Sequence, residues 1–262
     1  FFAKAQAREP ILGAALGFVP QASRPPFQAW TGLLAEVREC VFELSDPRVT
    51  ALKVGWWVEE LEGVRRGAAR HPLTRVLIRH GGPWSAVTPV LAAVAADHDP
   101  PPDFEHAVAD LRPLADALLA VERHLFGLDD KTIEIQSRAL VLGWLRHRLE
   151  RGLEAADRAR VPLALFARHG LRREQLALQE ADALRRDWAG CLLAALPAVQ
   201  ETEGWAYPRR LSLQADRRAL AALAVARPQG TGRGGAFLLV YNAWRLARRA
   251  ALRVPDVLTT TT

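Results

Sequence analysis

Three glutamates on one predicted helix are the first residues in this chain whose type and spacing could support chemistry. Glu36, Glu39 and Glu43 follow one another at intervals that bring their side chains onto one helical face. Carboxylate oxygens that share a face are potential ligands of a divalent cation. This face lies beside the apolar stripe of the helix rather than within it, and a solvated acidic face is the usual explanation of such a pattern.

A second predicted helix carries basic side chains that could bind an anionic group. Arg146, His147, Arg148 and Arg151 stand close together on it. The planar fork of an arginine matches the oxygens of a phosphate group. A single histidine on an amphipathic helix is more often a surface or core residue than a metal ligand or a general base. No Ser-His-Asp or Cys-His arrangement can be nominated from the spacing.

Two adjacent tryptophans, Trp56 and Trp57, are candidates for lining an apolar pocket. Neighbouring aromatic residues on a buried helix usually serve packing instead. Successive residues of a helix point about 100° apart, so one of the two rings must turn away from the core.

The elements that position these residues are helices. Apolar residues recur with a period near 3.6 over almost the whole chain, and no useful stretch alternates as a strand, which predicts an all-α fold. Similar helical patterns flank the proline-rich segment 99–103, so we interpret it as a loop inside one domain. We expect a single domain over residues 1–262, with a short N-terminal extension over 1–26 and a frayed tail over 254–262. Pro113 lies inside a helical pattern and predicts a kink.

Composition excludes several classes of protein. Half of the residues are hydrophobic, which suffices for a sizeable core, and no apolar run is long enough for a membrane span. The net charge is +6, but zinc spacings, aromatic stacking motifs and basic tails are missing from the sequence, so we expect no nucleic-acid partner. Cys40 and Cys191 both fall on apolar stripes and are expected to be free thiols, consistent with a reducing compartment.

Two short segments match the motifs of one family in order and separation. The first is Lys-Val-Gly-Trp-Trp-Val-Glu-Glu-Leu at residues 53–61, followed by Gly67 and by His-Pro-Leu-Thr-Arg-Val-Leu at residues 71–77. The second is Leu145-Arg146, then Arg-Val-Pro-Leu at residues 160–163 and Phe-Ala-Arg-His-Gly-Leu at residues 166–171. In these segments the chain resembles the squalene/phytoene synthase family, as a divergent bacterial member with degenerate acidic motifs.

The resemblance implies an isoprenoid-synthase-like helical bundle around a central cavity. Active members of the family condense two prenyl diphosphates head to head, with magnesium ions held by Asp-x-x-x-Asp pairs on two facing helices. By this comparison Glu36, Glu39 and Glu43 form a candidate variant of the first metal motif. No second metal motif is present, since the sequence Arg-His-Arg-Leu-Glu-Arg at residues 146–151 stands where the family has Arg-Asp-x-x-x-Asp. An arginine beside a magnesium ion would repel it.

Three hypotheses of function follow. The first is a protein without metal-dependent condensation and without a cofactor, acting as a prenyl- or lipid-binding or assembly-type relative. The mitochondrial complex I assembly factors of this fold are similar in having degenerate acidic motifs. The second is an active prenyl-diphosphate transferase that uses magnesium at the glutamates, with Arg146, His147, Trp56 and Trp57 lining the diphosphate site and pocket. The third is a basic helical adaptor unrelated to isoprenoids, which predicts a bundle without an elongated pocket.

The partners and location that we expect follow from the first hypothesis. A prenyl or other long-chain lipid is the candidate ligand, and a membrane surface or another protein is a candidate partner. We expect a cytoplasmic protein that can associate with the inner membrane face.

Overall fold

The computed structural model describes most of the chain and confirms the all-α prediction. The described residues are 1–44, 46–97, 99–126, 133–151, 160–202, 204–225, 240–241, 243–245 and 247. Within them there is no strand, and no helix combines the length and apolar composition that crossing a membrane requires. The helices are α1 Phe2–Arg8, α2 Pro10–Leu16, α3 Arg24–Arg38, α4 Pro47–Arg65, α5 Pro72–Leu77, α6 Val87–Ala96, α7 Phe104–Ala109, α8 Arg112–Phe126, α9 Ile133–Arg151, α10 Leu163–His169, α11 Asp182–Ala195 and α12 Tyr207–Ala224.

Local sequence signals set several of these boundaries. The side chain of Asp46 accepts a hydrogen bond from the backbone N–H of Arg48 and so caps α4, and Pro47 occupies the first turn, where its missing N–H is not needed. Gly170 ends α10 with a positive φ of 63°, a conformation that costs a residue with a side chain more than it costs glycine.

Pro113 interrupts its helix rather than bending it. The prediction of one kinked helix is wrong, because α7 ends at Ala109 and α8 begins anew at Arg112. A proline lacks the N–H that would continue the helical ladder and its ring collides with the preceding turn. At the second position of α8 neither restriction matters, so the residue starts a helix instead.

Most of the helices pack around one large apolar core, and α1 and α2 pack through smaller apolar clusters beside it. α8 packs on α6 and α9, and α9 also contacts α11 and α12. Trp30, Trp57 and Trp188 are almost fully buried within this core. The bundle therefore brings α3 and α9, the helices that carry the two groups of charged candidates, to opposite sides of the same interior.

The segment predicted as an N-terminal extension, residues 1–26, is helical and packs against the bundle. Ile11, Ala15 and Val19 form an apolar cluster with Phe27 of α3 and Tyr207 of α12. The loop at residues 99–103 is also tied to the body, since the carbonyls of Pro101 and Pro102 accept hydrogen bonds from the start of α10. The predicted tail at 254–262 lies outside the described residues.

Candidate functional site

The three glutamates of the acidic face are enclosed by protein. The side chains of Glu36, Glu39 and Glu43 are only 9%, 13% and 15% exposed. The interpretation as a solvated face is therefore wrong. On this side of α3, other elements of the chain cover the carboxylates, and water does not.

Cations from two other helices neutralise this acidic cluster, as we call Glu36, Glu39 and Glu43. From α1, Lys4 Nζ lies 3.3 Å from Glu36 Oε1 and 2.5 Å from Glu39 Oε2. Arg8 contributes one guanidinium nitrogen to Glu39 and one to Glu43, each at 2.9 Å. From α4, Lys53 Nζ lies 2.7 Å from Glu39 and 3.2 Å from Glu36.

These contacts explain the ionisation of the central carboxylate. Burial by itself would raise the pKa of Glu39, but hydrogen bonds and charges from Lys4 and Lys53 outweigh it and lower the pKa to about 2. Glu39 is thus an anion throughout the physiological pH range. Its charge is already balanced by side chains of the same protein.

Backbone geometry at the cluster is unusual in a way that the sequence did not predict. Residues Glu39–Glu43 continue α3 as a π-helical turn, a feature that concentrates at functional sites in helical proteins. Glu39 and Glu43 are also four residues apart, the same interval as in an Asp-x-x-x-Asp pair. The wider turn leaves both side chains on the covered side of the helix.

Within the basic group of α9, His147 faces α3 directly. His147 Nε2 lies 2.8 Å from Arg38 Nη1 and 3.0 Å from Glu9 Oε1. Burial and the charge of Arg38 lower the pKa of His147 to about 3, which leaves its ring neutral at pH 7. Glu9 also accepts a hydrogen bond from Arg38.

Glu9 therefore occupies the gap between the two facing helices. Burial would raise its pKa, but the Arg38 charge and the contact with His147 lower it well below the ordinary value. The family resemblance implies magnesium ions between two acidic helices. At this place the chain has instead the carboxylate of Glu9 between Arg38 and His147.

Arg146 contacts His147, with its Nη2 2.5 Å from His147 Nε2, and is held by two carboxylates. Its Nε donates to Asp216 Oδ1 at 2.7 Å, and its Nη1 contacts Glu150. Burial raises the pKa of Asp216 to about 6 even though Arg146 acts to lower it. Gly143 makes this contact possible, because a Cβ atom at this position would stand 2.5 Å from Asp216 Oδ2.

A cavity of about 60 Å³ lies between these charged groups. Binding pockets for small molecules usually measure about 300–1,000 Å³, and one enclosed water needs about 10–15 Å³ of cavity volume. A cavity of this volume has room for only a few waters. Its wall consists of Ala5, Glu9, Leu12, Thr31, Leu34, Ala35, Arg38, Glu122, Ala139, Leu140, Gly143, Trp144, His147, Pro208, Arg209, Ser212, Leu213 and Asp216.

One further buried pair closes the cavity on the α8 side. Glu122 is completely buried and accepts hydrogen bonds from Trp30 Nε1 and from the guanidinium of Arg209. We did not predict this pair, or Glu9, Arg38 and Asp216, from the sequence. A usable signal existed for two of them: Glu122 lies between Leu118 and Leu125, and Asp216 between Leu213 and Leu220, on stripes that are otherwise apolar.

The two tryptophans separate as helical geometry requires. Trp57 is 2% exposed and belongs to the core, whereas Trp56 is 39% exposed. Trp56 borders an open surface groove of about 450 Å³, together with Leu52, Val49 and His71. Neither ring lines the central cavity.

Glu60 gives the first motif segment a structural purpose. Its buried carboxylate accepts hydrogen bonds from the backbone N–H groups of Arg70 and His71 and from the hydroxyl of Thr74. His71 in turn accepts a bond from Leu73 N and caps α5. The motif therefore joins α4 to the His-Pro-Leu-Thr turn without contacting the central cavity.

The fit of the acidic cluster to magnesium is poor in this arrangement. Every carboxylate of the cluster contacts a lysine or arginine nitrogen, and a metal ion would have to displace those cations. Over the parts of the chain that the structure describes, no group of three or more His, Cys, Asp or Glu residues is arranged to hold a metal ion.

Comparison with known proteins identifies the fold. No family model and no curated protein matches the sequence. Among solved structures, the crystal structure of squalene synthase HpnC from Alicyclobacillus acidocaldarius matches with a TM-score of 0.54 and 18% sequence identity. The match covers 95% of this chain and 94% of that one. The chain thus has the helical fold of a squalene synthase over nearly its whole length, in agreement with the fold that the motifs predict.

Proposed function

We propose that this chain is a divergent squalene/phytoene-synthase-like protein that binds a prenyl or other long apolar ligand, or assists assembly, without metal-dependent condensation. The observation that carries the proposal is the neutralisation of Glu36, Glu39 and Glu43 by Lys4, Arg8 and Lys53. Family membership rests on the two motif segments together with the squalene synthase fold.

The proposed lack of condensation activity follows from what the departing diphosphate would need. Departure of a diphosphate builds up negative charge that metal ions stabilise in the active enzymes of the family. In this chain the lysine and arginine nitrogens take the positions in which an ion would meet the carboxylates. A magnesium ion would have to compete with these cations for the same carboxylates and displace them.

The opposite helix supports the same proposal. Arg146 is a suitable group for a diphosphate by type, but its charge is already met by Asp216 and Glu150. His147 is neutral at pH 7 because its pKa is lowered to about 3. Neither residue offers a free positive charge to an anionic substrate.

The active transferase remains a second candidate because one observation favours it. Glu39 and Glu43 combine the four-residue spacing of a metal pair with a π-helical turn. If Lys4 and Arg8 withdrew, these two side chains would face the space that the cations leave.

The third candidate, a basic helical adaptor, is favoured by the small volume of the cavity. The central cavity, at about 60 Å³, is too small for an elongated ligand in this arrangement. An apolar ligand of prenyl size requires the interior to open, so measured ligand binding separates this candidate from the proposal.

A combined assay tests the three functions. The protein is incubated with farnesyl or geranylgeranyl diphosphate, with magnesium or with EDTA, and the extract is analysed for condensed hydrocarbon and released diphosphate. We expect neither product. In parallel, thermal unfolding with the diphosphate in EDTA should show a rise in melting temperature, since a ligand at a hundred times its dissociation constant stabilises by about 2.7 kcal/mol.

The outcomes are distinct. Magnesium-dependent product that disappears in the E39Q variant would establish the transferase. A melting shift without product supports the proposed binding function. Absence of both product and shift, at concentrations near the solubility limit of the ligand, would refute the binding function and the transferase and leave the assembly role and the adaptor.

A further inference from the structure

α1 is attached to the bundle by a small apolar cluster, in which Ala5 meets Leu12 and Ala35, and by a set of ion pairs. Ala5 is the one fully buried residue of this seven-residue helix. Phe2 is partly buried and meets Phe27 edge-on, and Phe1, although it contacts the His71 ring, is 54% exposed. A helix of this length has little stability of its own, so its position depends on the partners it contacts.

Those partners are the carboxylates of the acidic cluster. Lys4 and Arg8 stand one turn apart on α1 and together reach all three glutamates, at distances from 2.5 to 3.3 Å. Both cations remain in contact with solvent, since their side chains are 45% and 19% exposed. Ion pairs of this kind weaken as salt screens them.

The neighbouring helix α2 is anchored differently. Ile11, Leu12 and Ala15 are buried, and its contacts with α12 are apolar. Between the two helices, Glu9 has a non-helical backbone with φ −131° and ψ 84°, and Pro10 follows it. The joint between α1 and α2 is therefore a place where α1 can swing while α2 stays bound.

α1 also closes the central cavity. Ala5 of α1 and Glu9 at the joint belong to the cavity wall. If α1 lifts, Lys53 remains against Glu36 and Glu39, and Arg38 Nε remains 3.4 Å from Glu43, so the acidic cluster is not left without cations. This residual pairing lowers the electrostatic penalty of opening.

We infer that α1 is an electrostatically latched lid over the central cavity, with Lys4 and Arg8 as the latch and residues 9 and 10 as the hinge. The lid controls access to the interior whichever ligand enters it. The inference therefore stands or falls separately from the function proposed above.

A buried cysteine on the lid reports its opening. The probe is the A5C variant in a C191S background, labelled with Ellman's reagent at low salt and at about 1 M salt, where the screening length falls to about 3 Å. The remaining native thiol, Cys40, is fully buried and burial raises its pKa to about 12, so it adds only a slow background. We expect the labelling rate of A5C to rise about tenfold with salt, which corresponds to about 1.4 kcal/mol.

Charge variants at low salt supply matched controls. K4Q/R8Q should raise the labelling rate of A5C as salt does. K53Q removes a positive charge from the same glutamates but not from the lid, and should leave the rate unchanged or lower it. A15C on α2, also fully buried, should stay unreactive under every condition.

Two results would overturn the inference. One is an A5C rate that is independent of salt and of Lys4 and Arg8, and the other is a parallel rise in A15C, which would indicate general unfolding. Should A5C fail to fold, amide hydrogen exchange of the unmodified chain decides. Faster exchange at high salt in α1 than in α2 supports the lid, and equal exchange in both helices refutes it.

Discussion

The acidic cluster on α3 and the basic group on α9 are charged to opposite sign, yet both are neutralised, and the way in which each is neutralised differs. Glu36, Glu39 and Glu43 pair with Lys4, Arg8 and Lys53, whose side chains retain access to water, and Glu43 also meets the buried Arg38. Arg146 and Asp216 are 7% and 8% exposed and form a pair in the interior. The comparison shows that the sequence predicts the sign of the charge at a site but not how far the site is exposed to water. Solvation decides how much a lost partner costs.

The largest expected effect comes from breaking the interior pair. Replacing Asp216 by leucine leaves the buried Arg146 with Glu150 as its remaining carboxylate contact. Removing one partner of a buried pair destabilises proteins by about 3–5 kcal/mol, and we expect a loss near the lower end. Urea unfolding of D216L against wild type measures it. A loss below about 1 kcal/mol, typical of exposed pairs, would mean that the two sites are equivalent.

The pH dependence of His147 should be the next largest effect. Its pKa is about 3 in the folded chain and 6.5 when unperturbed, so the unfolded state binds a proton first as pH falls. This residue therefore contributes stability above pH 6.5 that is lost as pH falls towards 3. The loss is on the order of 3 kcal/mol after allowance for solvent and coupling, at about 1.4 kcal/mol per pH unit.

The measurement is the difference in unfolding free energy between wild type and H147Q. Asp216, whose pKa is raised to about 6, contributes stability at low pH that is lost as pH rises through 6, and it does so in both proteins. Because His147 also helps to lower the pKa of Glu9, the comparison is made above the ordinary pKa of a glutamate, from pH 7 to pH 5. A difference that stays constant over this range contradicts the assignment of a neutral, buried His147.

Gly143 allows a test of how tightly the interior pair of Arg146 and Asp216 is packed. An alanine there would place its Cβ 2.5 Å from Asp216 Oδ2, so the carboxylate must move away from Arg146. Overpacking of this type destabilises by about 1–3 kcal/mol, and we expect about 2 kcal/mol for G143A. Gly190, also helical but with open space around its Cβ position, gives the control variant G190A, which should be neutral or slightly stabilising.

The smallest effect is expected at the acidic cluster. E39Q removes a charge that Lys4, Arg8 and Lys53 share, but Glu36 and Glu43 remain to receive these cations. Partly solvated pairs contribute about 1 kcal/mol or less, so E39Q should lower stability by about that amount. The loss should shrink at high salt. An E39Q loss as large as that of D216L would place both clusters in the same dry interior.

Much of the fold could be predicted because it follows from local patterns. The period near 3.6 predicted the helices, and single residues at their ends set limits in the structure. Asp46 and Gly170 act at these limits through their own backbone and side chain. Even the error at Pro113 concerned only the degree to which a proline interrupts a helix.

The candidate site could be predicted only in part. Sequence spacing placed Glu36, Glu39 and Glu43 on one face and Arg146 and His147 next to each other on another helix, and the structure links the two groups through Arg38, which contacts both Glu43 and His147. Their solvation could not be predicted, because it depends on what covers them. Lys4 and Arg8 lie some thirty residues before the glutamates, and no helical period links α1 to α3.

By itself, then, the sequence determined the helices, their order and the sign of each charged face, since these depend on neighbours within a few residues. Only the tertiary structure decided which charges are paired, with Glu9 placed between Arg38 and His147 and the α1 cations placed on the acidic cluster. The reason is that burial increases both the desolvation penalty of a charged group and the strength of its interaction with a partner. That partner can come from any part of the chain. The identity of that partner is a property of the folded arrangement of α1, α3 and α9.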